Sequence, residues 1–587
     1  MSFTQENKLL FKRLFGLLKP YTKRIVIILI CITASSGIGM LLPQFSKQIM
    51  DKGLLVKNLG VVIKFSLFTL VLVLTDQMIG LLETRYYSYV NSVFQHSLLK
   101  SAFKHILKLK MHYFSNTNFA EIMSNVGMDV GNVSRICDKG IFIIISQVLR
   151  IIGGVIGLLL IDWKLTLVVV CIAPVRYFTV KYLASKRKRV FEEYMEHNRK
   201  FSSWYGDCIG GVKEIKLWGT DRIKLGQFIS KQRDIVKINI KLALLDEINK
   251  FSENITYQII ANALYILGAY IVFNSSLSIG GLFAFMTYSA YVTQPISAIL
   301  NIGYNFSNII PSAKRFFDFL DMESEVDNGR EKQIRLSGNE IKGGIIFENV
   351  DFSYKKGEKV LNNINFEINA GEKIAIVGTN GSGKSTIINL LLRFYKPENG
   401  KILIDGMNIN KVKLRDHRSL ISVVSQDLYL FNTSIQENIS NGVKIDNFKL
   451  LKAVKESGAH DFIEALPLKY KSEVGRNGSM LSGGERQKIA MARALVRDTS
   501  IMVLDEATAN YDAESEAKVN EVLSRNASGK TVIVISHKPD ILKRVDKIIV
   551  VDNGRIADFG RHEELYERSG IYRELTNIHR DFGKMVV

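Results

Sequence analysis

Six stretches of about 20 residues, at 24–46, 60–82, 141–161, 164–184, 255–274 and 279–300, are almost free of charge. All of them lie in the first 310 of the chain's 587 residues. A hydrocarbon layer about 30 Å thick is crossed by roughly 20 apolar residues in helix, because each backbone N–H and C=O must find its partner within the segment. The spacing therefore predicts six membrane-spanning helices. Residues 330–587 instead alternate short apolar runs with polar punctuation, the pattern of a water-soluble domain. The chain is half membrane and half soluble.

Charge orients the spans. Lysines and arginines number 78 against 57 acidic residues, a net charge of +21, and they cluster beside the apolar stretches, as at Lys186-Arg187-Lys188-Arg189. Basic clusters flanking spans mark the cytoplasmic side, so the excess charge speaks against a nucleic-acid partner. The links 83–140 and 185–254 are long and basic, whereas Asp162-Trp163-Lys164 and Asn274-Ser275-Ser276 are short. Both termini are therefore expected in the cytoplasm. The long links are helix-permissive, and spans 2 to 5 should continue as helices beyond the bilayer. Residues 6–19 mix seven Leu and Phe with Lys and Arg, which suits an interfacial helix. That stretch begins within ten residues of Met1, so no leader-cleaving module is expected ahead of the spans. Cys31, Cys137, Cys171 and Cys208 show no CxxC spacing and are taken as small apolar fillers. The expected division is a transmembrane domain over 1–320, a polar linker over 321–342 and a soluble domain over 343–587.

In the soluble half, Ile345-Ile346-Phe347 and Val350-Asp351-Phe352 read as strand, and Lys373 to Val377 as a buried strand. Directly after it, Gly378-Thr379-Asn380-Gly381-Ser382-Gly383-Lys384-Ser385 matches GxxxxGK[ST], and a helical run from Thr386 follows. Glycines let the backbone N–H groups surround phosphates; Lys384 supplies a point charge and Ser385 a hydroxyl ligand for Mg²⁺. Ile501 to Glu506 is an apolar strand ending in two carboxylates. Beside a phosphate loop, Asp505 would hold Mg²⁺ through water and Glu506 would polarise an attacking water. Ile533 to His537 is a further strand with a polar end, and His537 is a candidate γ-phosphate sensor.

Leu481-Ser482-Gly483-Gly484-Glu485, lying between the phosphate loop and the carboxylate strand, resembles the signature of the ATP-binding cassette (ABC) transporters. The resemblance covers nearly the whole chain and has the layout of a half-size, type IV exporter. It implies a six-helix membrane bundle with long cytoplasmic extensions. It also implies an α/β nucleotide-binding domain with a P-loop RecA-like core, an antiparallel β-subdomain and a helical subdomain. By the same resemblance Tyr354 stacks on adenine, Gly378, Asn380, Gly381, Ser382, Gly383, Lys384, Ser385 and Thr386 hold the phosphates, and Gln426 touches Mg²⁺ and water. Ser482 and Gly484 would meet the γ-phosphate bound by a second subunit, with Asp512 ending the segment that communicates across a homodimer. Short helices near Asn116–Ile122 and Trp218–Gly226 would contact the cassette. Two departures stand out: Ala509-Asn510-Tyr511-Asp512 replaces the usual Ser-Ala-Leu-Asp, and Arg476 occupies a usually acidic position.

The resemblance implies ATP-driven export across a bacterial cytoplasmic membrane. Six spans exclude a soluble DNA-repair ATPase; Glu506 argues against a channel that only binds ATP; and an importer would carry its spans on a separate chain. For cargo, Asn254, Gln258, Asn262 and Tyr265 share a face of span 5, and Tyr291, Gln294, Asn301, Asn305 and Asn308 a face of span 6. Such stripes either join helices or line a cavity. Asp76, Arg150 and Arg176, with Gln147, are strongly polar in apolar segments: either Asp76 pairs with Arg176 or Arg150, or these residues complete the cavity. A lining of both signs suits a peptide or other amphipath; a lipid flippase, a multidrug exporter or half of a heterodimer are the alternatives.

Overall fold

The computed structural model describes residues 5–116, 119–137, 139–273, 277–325, 341–355, 357–506 and 529–576, without the side chains of 5–8, 116, 119–121, 124–125, 139–141, 173 and 296–308. By internal contacts it divides into two units, Met1–Leu107 with Asn118–Met322, and Lys108–Thr117 with Glu323–Val587.

The first unit is helical. α1 (Gln5–Leu18) precedes α2 (Thr22–Gln48), α3 (Leu59–Ile106), α5 (Phe119–Ser134), α6 (Lys139–Ile161), α7 (Trp163–Gly210), α8 (Val212–Leu217), α9 (Asp221–Phe273) and α10 (Ile279–Leu320), while α4 (Met111–Asn116) belongs to the second unit. Among the described residues five helical segments are long and apolar enough to cross a membrane, and α10 is a further long helix. Helices α3, α7 and α9 run to 48, 48 and 53 residues. At 1.5 Å per residue these exceed the bilayer twofold, as expected for cytoplasmic extensions. The extension before span 3 departs from that expectation, because a 3₁₀ turn at Arg135–Cys137 breaks α5 from α6. The short helices also fall earlier than expected, at Met111–Asn116 and Val212–Leu217. Gly219 takes φ +60 and ends the second one, and α9 already begins at Asp221.

Starts of helices follow local chemistry. Asp162 caps α7 by accepting from Lys164 N and Leu165 N at 2.8 and 2.9 Å, and Ser278 caps α10. Packing of α6 on α2 and α10 depends on small residues. A Cβ at Gly153 would meet Met40 Sδ at 2.3 Å, and one at Gly157 the Tyr288 ring at 2.7 Å. Tyr288 in turn donates from its hydroxyl to Met40 O at 2.6 Å. Of the four cysteines only Cys137 is buried; Cys171 is exposed on its helix, so it fills no core space.

The second unit is α/β. A six-stranded sheet in the order β10-β9-β3-β8-β7-β6 comprises β3 (Lys373–Gly378), β6 (Ile421–Val424), β7 (Ile501–Asp505), β8 (Thr531–Ile535), β9 (Lys547–Asp552) and β10 (Arg555–Gly560). All its pairings are parallel except β9 with β10. A four-stranded antiparallel sheet in the order β2-β1-β4-β5 is made of β1 (Ile345–Ser353), β2 (Lys359–Ile368), β4 (Asn399–Ile404) and β5 (Met407–Asn408). The two apolar runs at 345–352 form one strand with a register shift between Phe347 and Val350, where Asn349 takes φ +49. Helices α11 (Lys384–Leu391), α12 (Leu414–Ser419), α13 (Ile435–Ser440), α14 (Asn447–Glu456), α15 (His460–Ala465) and α16 (Gly483–Val496) complete the part used below. Leu430, Ile435, Leu450, Ile463 and Ile489 form a separate small core under α13 to α16, the helical subdomain. Most of the expected linker lies outside the described residues.

The glycine packing yields a prediction. Gly157→Val places atoms inside the Tyr288 ring and should destabilise the membrane unit by roughly 2 kcal/mol, read as a lower unfolding midpoint in detergent. Gly37→Ala, where a Cβ meets nothing within 4 Å, should stay within about 0.5 kcal/mol of the parent.

Candidate functional site

β3 lies inside the six-stranded sheet, and its residues Ile374 to Gly378 are buried. At its carboxyl end the chain turns through Gly381 (φ +82) and Gly383 (φ +109) into α11. Only glycine fits at Gly383, where a Cβ would meet Leu361 Cδ2 at 2.6 Å in a left-handed backbone conformation. The first N–H groups of α11 have no partner within the helix and, with the helix dipole, favour an anion.

Lys384 is buried, and its ammonium donates to Gly378 O and Thr379 O at 2.8 Å each. Burial pulls its pKa down, while the nearby Glu506 and Asp505 charges act the other way. Two strands along, β7 ends at Asp505 and the next residue is Glu506. Burial pushes the Asp505 carboxyl up, and the Glu506 charge adds to the effect. Glu506 takes φ +49, which stores strain in a non-glycine residue, and its N–H donates to Ile535 O at 3.0 Å. Gln426, two residues past β6, donates from Nε2 to Glu506 Oε2 at 2.7 Å. The Tyr354 ring stands edge-on to Phe352 and Tyr395, with its hydroxyl 3.2 Å from Thr386 Oγ1.

One cavity of about 300 Å³ is lined by Tyr354, Asn380, Gly381, Gly383, Lys384, Ser385, Thr386, Gln426, Asp505 and Glu506, together with Val360 and Ile535. The last two are plain aliphatic residues that no motif marks. Gly378 and Ser382 are not among the lining residues. The buried Ser382 hydroxyl has no hydrogen-bond partner among the described residues, a donor left over within the loop. His537 follows β8 without lining the cavity. Ser482 and Gly484 are not in the lining either: Ser482 caps α16, accepting from Glu485 N while its own N–H donates to Glu485 Oε2 at 2.7 Å. Asp512 falls outside the described residues.

Two family models match the chain, the ABC transporter model over residues 361–509 and the ABC transporter transmembrane region over 25–296. A relative from Alcanivorax borkumensis, an ATP-dependent lipid A-core flippase, is 30% identical over 573 residues, which is 97% of each chain. The chain belongs to the ABC transporters. A second flippase of that name, from Wigglesworthia glossinidia brevipalpis, is 29% identical over 97% of this chain and 98% of its own. A solved bacterial Atm1-family ABC exporter with ATP bound superposes with a TM-score of 0.82 at 25% identity, covering 95% of this chain and 98% of that one. This ABC transporter is thus an ATP-hydrolysing translocase of the exporter type with an integral membrane domain.

In the membrane unit two of the candidate cavity residues, Arg176 and Gln294, line one small pocket together with Glu253. Arg176 is buried and pairs with Glu253 at 3.1 Å and Ser252 Oγ at 3.0 Å. Asp76 accepts from Ser35 Oγ at 2.5 Å. Of the two alternatives, the pairing of Asp76 with Arg176 is not the one seen: Glu253, next to the span 5 stripe, supplies the counter-charge of Arg176. An acidic residue at the edge of a polar stripe was the signal available for it. Arg150 is exposed on α6, with no ion pair among the described residues. Asn254, Gln258, Asn262 and Gln294 are exposed on the single chain; Tyr291 is half-buried and donates to Gly39 O at 3.2 Å. The side chains of Asn301, Asn305 and Asn308 lie outside the described residues.

Because Tyr354 lines the cavity, Tyr354→Ala should weaken ATP binding about tenfold, while Tyr354→Trp keeps it near the parent value. Equilibrium binding of a fluorescent ATP analogue reads both.

Proposed function

We propose that this chain acts as a homodimer that moves a lipid-type amphipath across a bacterial cytoplasmic membrane. The observation that carries the reading is the shared edge at which Lys384, Ser385, Gln426, Asp505 and Glu506 converge. Lys384 and the N–H groups of the loop bind the triphosphate, and Tyr354 packs the base. Glu506, oriented by Gln426, takes a proton from the attacking water. Ser385, Gln426 and Asp505 are the residues that would hold Mg²⁺, which offsets phosphate charge when bound. His537 is assigned to the γ-phosphate. Ser482 and Gly484 stand apart from their own chain's cavity, which supports their serving a second copy's site.

For cargo, the flippase names of the relatives favour the lipid alternative over the peptide expectation. An exposed guanidinium on an apolar helix also suits an anionic headgroup, since such a charge avoids hydrocarbon. Arg150 is that residue. Asn254, Gln258, Asn262 and Gln294 offer donors along the same path.

In liposomes, the wild type with ATP and Mg²⁺ should move a fluorescent anionic phospholipid between leaflets. Glu506→Gln should bind ATP within about threefold of the parent yet lose turnover by about a hundredfold or more, and lipid movement with it. ATP-dependent peptide uptake without lipid movement would overturn the lipid assignment. Topology has its own check. An impermeant maleimide should label Asp162→Cys on intact cells, and Lys188→Cys only after permeabilisation.

A further inference from the structure

Arg418 in α12 is bonded on three sides. Its guanidinium forms a two-pronged pair with Glu325, with one prong at 3.0 Å. Its Nε donates to Leu392 O at 3.2 Å and its Nη2 to Arg393 O at 3.4 Å, with the Phe394 ring 4.8 Å beneath. Those carbonyls end α11, the eight-residue helix whose other end carries Lys384 and Ser385. A cation there meets the negative end of the helix dipole. The neighbouring His417 meets Leu391 O at 2.7 Å, and burial lowers its pKa to about 4, so it does so as a neutral ring. Past Arg418, α12 runs into β6 and then Gln426.

Glu325 leads the other way. Its N–H donates to Lys108 O at 2.6 Å, Ser324 bridges to Leu109, and Lys110 pairs with Glu323. Residues 108–110 and 323–325 pack within the nucleotide unit, yet they continue the chain from α3 and α10. Glu325 is only 16% exposed, and Arg418 is its ion-pair partner. A carboxylate buried to that degree holds its place only while the pair is intact.

We infer that Arg418 is a positioning residue that ties the strap formed by 108–110 and 323–325 to both α11 and the β6 strand leading to Gln426, so that nucleotide binding is transmitted to the ends of α3 and α10. No motif of the chain marks Arg418 or Glu325. The inference rests on ATP binding at the site described above and is independent of the cargo.

Amide hydrogen exchange on the full chain in nanodiscs, with Glu506→Gln to hold ATP, tests it. In that parent, ATP with Mg²⁺ should slow exchange over 378–391 and change it over 108–116. Adding Glu325→Gln should cut the response over 108–116 at least about fivefold while leaving that over 378–391 in place, because a purely structural role would lower both together. Arg418→Lys, which keeps the charge and loses the fork, should give an intermediate loss over 108–116. An unaltered response over 108–116 in both variants, or a parallel loss over 378–391, overturns the relay. Absence of ATP protection over 378–391 in the parent overturns the nucleotide-site reading and the relay with it.

Discussion

Ile376 of β3, Ile535 of β8 and Asp505 of β7 lie level across parallel strands. Parallel register is what gathers the nucleotide site, since every strand then releases its chain at the same edge of the sheet. The phosphate loop starts two residues past Ile376, Glu506 one residue past Asp505, and Gln426 two residues past the end of β6. A slip of one residue in any of these strands would turn its side chains to the opposite face and move its terminal group by about 3 Å. The fully buried β8, with both neighbours hydrogen-bonded to it, resists such a slip.

Backbone strain and a buried charge both occur at the nucleotide site. Glu506 keeps a left-handed backbone that β8 holds through Ile535 O, and Lys384 keeps its ammonium in a buried pocket of carbonyls. Both arrangements cost free energy in a free chain and persist because the packed sheet over-determines them.

In the membrane unit the organising rule is different. A buried charge inside an apolar helix is held by a partner, as Arg176 is by Glu253, and small residues appear where helices approach closely, as at Gly153 and Gly157. Arg187 and Asp246, paired at 2.6 Å, add a second link between α7 and α9. Helices that extend far beyond the bilayer need such ties, because water competes for their polar faces.

Segregation of the chain, its six apolar stretches, the α/β class of the soluble half and the nucleotide motifs are all legible in the residues as written. Each of these is a local property: length of apolar run, strand period, glycine spacing. Which distant residues meet depends on the folded chain. Glu253 for Arg176, Ser35 for Asp76, Glu506 for Gln426 and Glu325 for Arg418 are pairings across 77, 41, 80 and 93 positions. The first two differ from the alternative in which Asp76 pairs with Arg176. Composition names the charges in a chain; the crossing of helices and the order of strands choose their partners, because a charge leaves water only for the counter-group that packing brings within about 3 Å.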